Sequence, residues 1–184
     1  GLERRQSEGK SLDVASVASF FVSRVDSAVD KRLEASGHDE LCGKAAIANA
    51  RVAYRNFEAV LASPRWQGLH HGGAHPQRPL WASTGVKNER YPDTMYVDEL
   101  VGAHTVNTMP LATLKAVADH GRISGPTAQR DPSDDLEALE KAGIDLAEVT
   151  DELLVAGVEQ FEEAMTHLLA GIDERRQAAV AGKS

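Results

Sequence analysis

The sequence predicts an α/β fold in which short apolar parallel strands alternate with amphipathic helices. Two patterns carry that prediction: three short runs that are apolar on both faces, each followed by a stretch with helical spacing, and a last third with helical spacing only. Length adds a bound, because 184 residues suffice for one domain with its own core but fall short of the ~250 of a complete eight-stranded α/β barrel. One domain, or part of one, is expected.

Taken in order, GLERRQSEGK is charged and helix-favouring with no capping residue ahead of it, so the chain is expected to open inside a helix with a portion lying upstream. Residues 12–24, LDVASVASFFVSR, are rich in valine, phenylalanine and small residues, and only Asp13 and Arg24 are charged, the pattern of a strand buried on both faces. DSAVDKRLEASG then has helical spacing and stops at Gly37, a C-cap residue. Between Lys44 and Leu61, Ile47, Ala50, Tyr54, Phe57 and Leu61 recur at three- and four-residue steps and predict a second helix. Ser63 to Gln77, rich in glycine, proline and histidine, reads as a connector.

Residues 79–84, PLWAST, predict a second strand, and residues 104–109, HTVNTM, a third that ends at Pro110. LATLKAVADHG supplies another helix, stopped by Gly121. Strand and helix in alternation predict right-handed crossovers and a parallel sheet within residues 1–130. Residues 131–184 hold no strand candidate. There Val149, Leu153, Val158, Phe161, Met165, Leu168 and Ile172 form a long apolar face expected to pack on the rest of the domain, with a coiled-coil partner as the competing reading.

Composition excludes some partners. With 28 acidic against 20 basic residues the net charge is -8, which disfavours nucleic acid and anionic membrane surfaces. The single cysteine, Cys42, cannot form an internal disulfide and fits a reducing cytoplasm. No apolar run reaches the ~20 residues of a membrane span, and the N-terminus lacks the apolar core of a secretory signal. A cytoplasmic protein is expected.

In a parallel sheet of this kind, chemistry gathers at the C-terminal ends of the strands. The first run ends in Ser19, Phe21, Ser23 and Arg24, and the second in Ser83, Thr84, Gly85 and Lys87. Arginine offers a permanently charged fork, serine a hydroxyl, and glycine lets amides approach an anion, so the set suits a phosphate better than two isolated surface ion pairs. His70, His71 and His75 lie close together, but two glycines between them fix no metal geometry, and a loop cluster is the better reading. Asp131, Asp134 and Asp135 precede LEALEK as helix-capping residues do, and Trp66 and Trp81 are expected to pack.

The strings SVASFFVSRVD, NARVAYRNFEAV, RPLWASTGVKN and YPDTMYVDELVGAHTVNTMP resemble the bacterial transaldolase family in its longer, high-GC Gram-positive form, and with the helical tail the likeness covers essentially the whole chain. The resemblance implies the C-terminal part of a (β/α)8 TIM barrel, about strands six to eight with their helices, plus a helical C-terminal tail. It also implies transfer of a dihydroxyacetone unit from sedoheptulose 7-phosphate to glyceraldehyde 3-phosphate through a lysine Schiff base, with no cofactor and no metal. SFFVSR stands where the family has Ser-x-Phe-x-x-Arg, so Ser19 and Phe21 would border the sugar chain and Arg24 would bind the phosphate. Ser83 matches a phosphate-binding serine, and Lys87 matches the cation that follows it only with two residues inserted.

The family's Schiff-base lysine lies on its fourth strand, which this sequence lacks, so the phosphate-recognising side of the site is expected here without the covalent catalyst. Lys87 lies in a turn beside Glu89 and Arg90, which promises no dry pocket for a neutral amine. The partners expected are a sugar phosphate and either the missing N-terminal half or a second copy. A catalytically silent, sugar-phosphate-binding or self-associating half-barrel is the alternative, and a related Schiff-base aldolase is a further one.

Overall fold

A computed structural model describes residues 1–181, so the last three residues of the expected helical tail lie outside the described residues. After a short helix α1 (Leu2–Ser7), three strands form one parallel sheet: β1 (Ser16–Phe21), β2 (Gln77–Ala82) and β3 (Val106–Asn107), in the order β1-β2-β3. β1 and β2 run in register from Ser16 opposite Gln77 to Phe21 opposite Ala82, and Trp81 lies opposite Asn107. The architecture is mixed α/β, as expected, and consistent with part of a TIM barrel.

The strand expected over residues 12–24 is shorter, because the chain passes directly from Phe21 into α2 (Val22–Ser36). Arg24, expected at a strand end, therefore lies in the first turn of a helix. The reason is an overlap of periods. Val22 and Val25 read as β-branched and apolar in sequence, yet with Val29 and Leu33 they recur at three- and four-residue steps and are at most 4% exposed on one face of α2. α2 stops at Gly37, whose φ of 79° is the left-handed cap predicted for it. α3 (Ala45–Ala62) packs against α2, and its Ala45, Ala46, Ala48 and Ala50 are fully buried.

The connector expected over Ser63 to Gln77 contains a helix, α4 (Pro64–His71). Ser63 Oγ accepts the Trp66 N–H at 3.2 Å and Pro64 takes the first helical position, a start signal that outweighs the glycines and histidines. A further short helix, α5 (Met95–Glu99), follows β2. β3 is confined to two of the residues 104–109: His104 before it takes a left-handed φ of 59°, Thr105 Oγ1 donates to the Gly102 carbonyl, and Pro110 after it has no amide to offer.

α6 (Leu111–His120) follows, and α7 (Ser133–Lys141) packs on α3. The chain divides into two compact units, residues 1–145 and a second that begins at Leu146 and consists of α8 (Leu146–Ala181). Within α8, Val158, Phe161, Met165, Leu168 and Ile172 recur every three or four residues. Among the described residues no helix is long and apolar enough to cross a membrane.

Candidate functional site

The parallel register brings the C-terminal ends of β1 and β2 side by side, and four of the residues singled out by sequence gather there. Ser19 and Phe21 are two apart on β1 and share one face of the strand. Phe21 is also the N-cap residue of α2, and one helical step on, the Arg24 guanidinium lies 4.6 Å from the Phe21 ring centroid. Arg24 makes no ion pair among the described residues, and the first turn of α2 contains no acidic side chain. The Arg24 charge at the head of α2 therefore has no ion-pair partner among the described residues, and the N-terminal end of the helix dipole adds to it.

Ser83 follows β2 in the left-handed region, with φ of 55°, and its carbonyl accepts the Ser23 N–H at 3.2 Å. That bond ties the end of β2 to the first turn of α2. Beside it, fully buried Thr84 donates its hydroxyl to Asn107 Oδ1 at 2.8 Å, which fixes β2 against β3. Ser23 Oγ is buried without a hydrogen-bond partner among the described residues. Lys87 is placed differently: it is exposed and lines a groove of about 590 Å³ whose walls carry Asp26, Asp30, Glu34 and Glu89 together with Lys31 and Arg90.

Sequence reading passed over the carboxylates of that groove. Asp26 is 2% exposed and divides its two oxygens, Oδ1 accepting the Ala46 N–H at 2.7 Å and Oδ2 the Tyr96 hydroxyl at 2.7 Å. One turn on, Asp30 repeats the arrangement with the Gly43 N–H at 3.0 Å and the Tyr91 hydroxyl at 2.6 Å. Gly43 permits this in two ways: its φ is 79°, and a Cβ there would lie 2.9 Å from the Tyr91 ring. Burial pushes the Asp26 carboxyl up to about 6 against the pull of its two donors. Burial also raises both phenols, which keeps them as donors. The available signal was a pair of aspartates four residues apart in a helix, adjacent to its apolar stripe.

The other sequence candidates have partners of their own. His70 Nδ1 lies 3.2 Å from the Ala74 carbonyl, His71 Nδ1 2.6 Å from that of Gln67, and His75 Nε2 3.0 Å from Asp13, so the three rings do not converge. Asp131 accepts the Ser133 amide and hydroxyl just ahead of α7, whose N-cap position is Pro132, and Asp134 and Asp135 lie in the first turn of that helix. Trp81 is interior packing: it is 1% exposed, meets Phe20 edge-on at 5.7 Å and donates Nε1–H to the Leu100 carbonyl at 3.0 Å. Cys42 lies beside a 3-10 turn outside the long helices, and burial together with the nearby carboxylates pushes its thiol up to about 11.

Comparison with known proteins agrees with the four strings that carry the resemblance. The family model for transaldolase/fructose-6-phosphate aldolase matches residues 5–172. The chain is 53% identical over 185 residues to a transaldolase of Acidothermus cellulolyticus, covering 97% of this chain and 50% of that protein. It is 54% identical over 179 residues to transaldolase 1 of Streptomyces avermitilis, covering 94% and 47%, and 49% identical over 185 residues to a transaldolase of Thermobifida fusca, covering 97% and 50%. The chain therefore spans about half the length of the curated relatives it matches, as the C-terminal half of such a protein would. With a family match across most of its length and half of its residues shared with these relatives, the chain belongs to the transaldolase/fructose-6-phosphate aldolase family.

Proposed function

We propose that this chain supplies the phosphate-binding side of a transaldolase active site. The polypeptide to which it belongs moves a dihydroxyacetone unit from sedoheptulose 7-phosphate to glyceraldehyde 3-phosphate, in the cytoplasm, through a Schiff base on a lysine of the other half. The observation that carries this reading is the unpaired Arg24 guanidinium stacked on Phe21 at the head of α2, next to the Ser83 carbonyl held by Ser23. A phosphate there meets a forked cation, the positive end of the α2 dipole and a serine hydroxyl at the C-terminal end of a parallel sheet. Ser19 and Phe21 line the approach for the sugar chain. Lys87 is a secondary anion ligand, since it is exposed and its groove is shared with four carboxylates.

The same exposure argues against Lys87 as the Schiff-base nucleophile, which needs a dry surrounding to lose its proton. The missing strands are supplied by the upstream half: β1 is an edge strand with no partner on its outer side among the described residues, and a parallel sheet left open in this way has unpaired backbone to satisfy. In that polypeptide residues 1–130 are barrel and residues 131–184 its C-terminal helices. Sedoheptulose 7-phosphate and borohydride should trap no adduct on this chain alone, and an adduct should form on the upstream half when it is present. A stable adduct on this chain alone would overturn the assignment.

A second reading, a catalytically silent half-barrel that self-associates, is favoured by one feature. Beside the open edge of β1 lies a groove of about 650 Å³ lined by Ala18, Phe20, Phe57, Val60 and Trp66. Light scattering separates the two, because a monomer in solution counts against self-association.

A further inference from the structure

Asp26, Asp30 and Glu34 recur every four residues along α2 and so form one stripe, and each takes a donor from the segment that returns from β2. Tyr96 reaches Asp26, Tyr91 reaches Asp30, and Arg90 pairs with Glu34. The second oxygens of the two aspartates hold the amides of Ala46 and Gly43, so two carboxylates join three segments: α2, the start of α3 and residues 90–96. Residues 85–89, including Lys87, hang between this stripe and the anchor that Thr84 makes on Asn107. The stripe begins two residues beyond Arg24, a spacing that puts Asp26 on the far side of the helix from the guanidinium.

We propose that Asp26 and Asp30, with Tyr96 and Tyr91 as their donors, are positioning residues for the anion site: they fix residues 83–96 along α2 so that Ser83, whose carbonyl is held by the Ser23 N–H, stays beside the head of α2 where Arg24 binds the anion. This rests on the phosphate-binding reading given above. None of the four touches the anion. They act by removing the freedom of the loop, whose ordering the ligand would otherwise have to supply.

The test is titration of the 184-residue chain with inorganic phosphate at pH 7.5, well below the melting temperature of each variant. Arg24→Ala serves as the site control and should abolish binding. Tyr91→Phe and Tyr96→Phe together should weaken phosphate about tenfold, the scale typical of lost supporting hydrogen bonds around a ligand site. Asp26→Asn, which can still accept from Ala46 and meet the Tyr96 hydroxyl, should bind within about twofold of the parent, whereas Asp26→Ala should behave like the double phenylalanine variant. A purely structural role would lower melting temperatures and leave the affinity of the folded protein unchanged.

If Arg24→Ala abolishes binding while the double phenylalanine variant and Asp26→Ala bind as the parent does, the positioning role is overturned and the site stands. If the parent binds no phosphate, or Arg24→Ala changes nothing, the phosphate-binding reading itself fails and the positioning role with it. Should Asp26→Ala fail to fold, the two tyrosine variants and Asp26→Asn decide the matter.

Discussion

Where α2, α3 and the 91–96 segment meet, Tyr54 and Tyr96 are each 1% exposed and the hydroxyl of each has a partner; Trp81, also 1% exposed and bonded to the Leu100 carbonyl, backs onto the groove at the β1 edge. On the side of the open β1 edge, Phe20, Phe57 and Trp66 are only half-buried around the groove of about 650 Å³. Both regions are aromatic and apolar, so composition does not separate them. What differs is the supply of partners. The closed side finds carboxylates, carbonyls and small helical residues within residues 1–145, and the open side meets no further strand among the described residues. A parallel sheet is stable when both faces and both edges are covered, and the open side shows where that condition is unmet.

The largest effect that would break this comparison comes from truncating one fully buried aromatic and one half-buried aromatic of the groove. Trp81→Ala should cost about 3–5 kcal/mol in chemical denaturation, because a fully buried indole leaves a cavity and an orphaned Leu100 carbonyl. Phe57→Ala, at the open groove, should cost less than half of that, since part of its ring is already in water. Equal losses would mean that the groove is filled in solution, by a second copy or by rearrangement.

The next effect concerns Asp26. Burial pushes its carboxyl up to about 6 in the folded chain, above the ordinary aspartate value of about 3.9, so between those values the folded state holds the proton more tightly than the unfolded chain. The contribution of this group to stability is therefore greatest below about pH 4 and declines as pH rises towards 6, after which it stays low. Asp26→Asn should abolish that dependence and stabilise the chain at pH 7 by up to about 3 kcal/mol. Denaturation midpoints at pH 5 and pH 7 provide the check, and the variant should gain more at pH 7. A variant less stable than the parent at pH 7 would show that the ionised carboxylate is better satisfied than its burial implies.

A smaller loss is expected from Gly102→Ala, because a Cβ there would lie 2.8 Å from the Tyr54 ring, which is closed in by packing and by its bond to the Ala103 carbonyl. Displacing it should cost about 1–3 kcal/mol, seen as a lower melting temperature. The smallest effect is on the surface: the paired hydrogen bonds from Arg65 to Glu3 are exposed, and Glu3→Ala should leave the melting temperature unchanged within error.

Several elements were legible in the sequence for a physical reason that survives in the structure. Gly37 ends α2 in the left-handed region, and the three- and four-residue steps of Ile47, Ala50 and Tyr54 make the buried face of α3. That Ser19, Phe21 and Ser83 lie near one another was legible because the strands were expected to run parallel, and the register of β1 with β2 sets their C-terminal ends side by side. The start of α2 was not legible, since valines at positions 22, 25 and 29 serve a buried strand or a helix core equally well. The missed helix α4 carried its signal in Ser63 and Pro64, outvoted by nearby glycines.

The sequence by itself determined the class of fold, the family and the residue types at the strand ends, because periodicity, caps and long motifs are local properties of the chain. Only the tertiary structure decided that Asp26 and Asp30 meet Tyr96 and Tyr91, and that Lys87 lines their groove. Those pairings join residues 61 and 70 positions apart, and no local preference encodes a hydrogen bond made across such a distance.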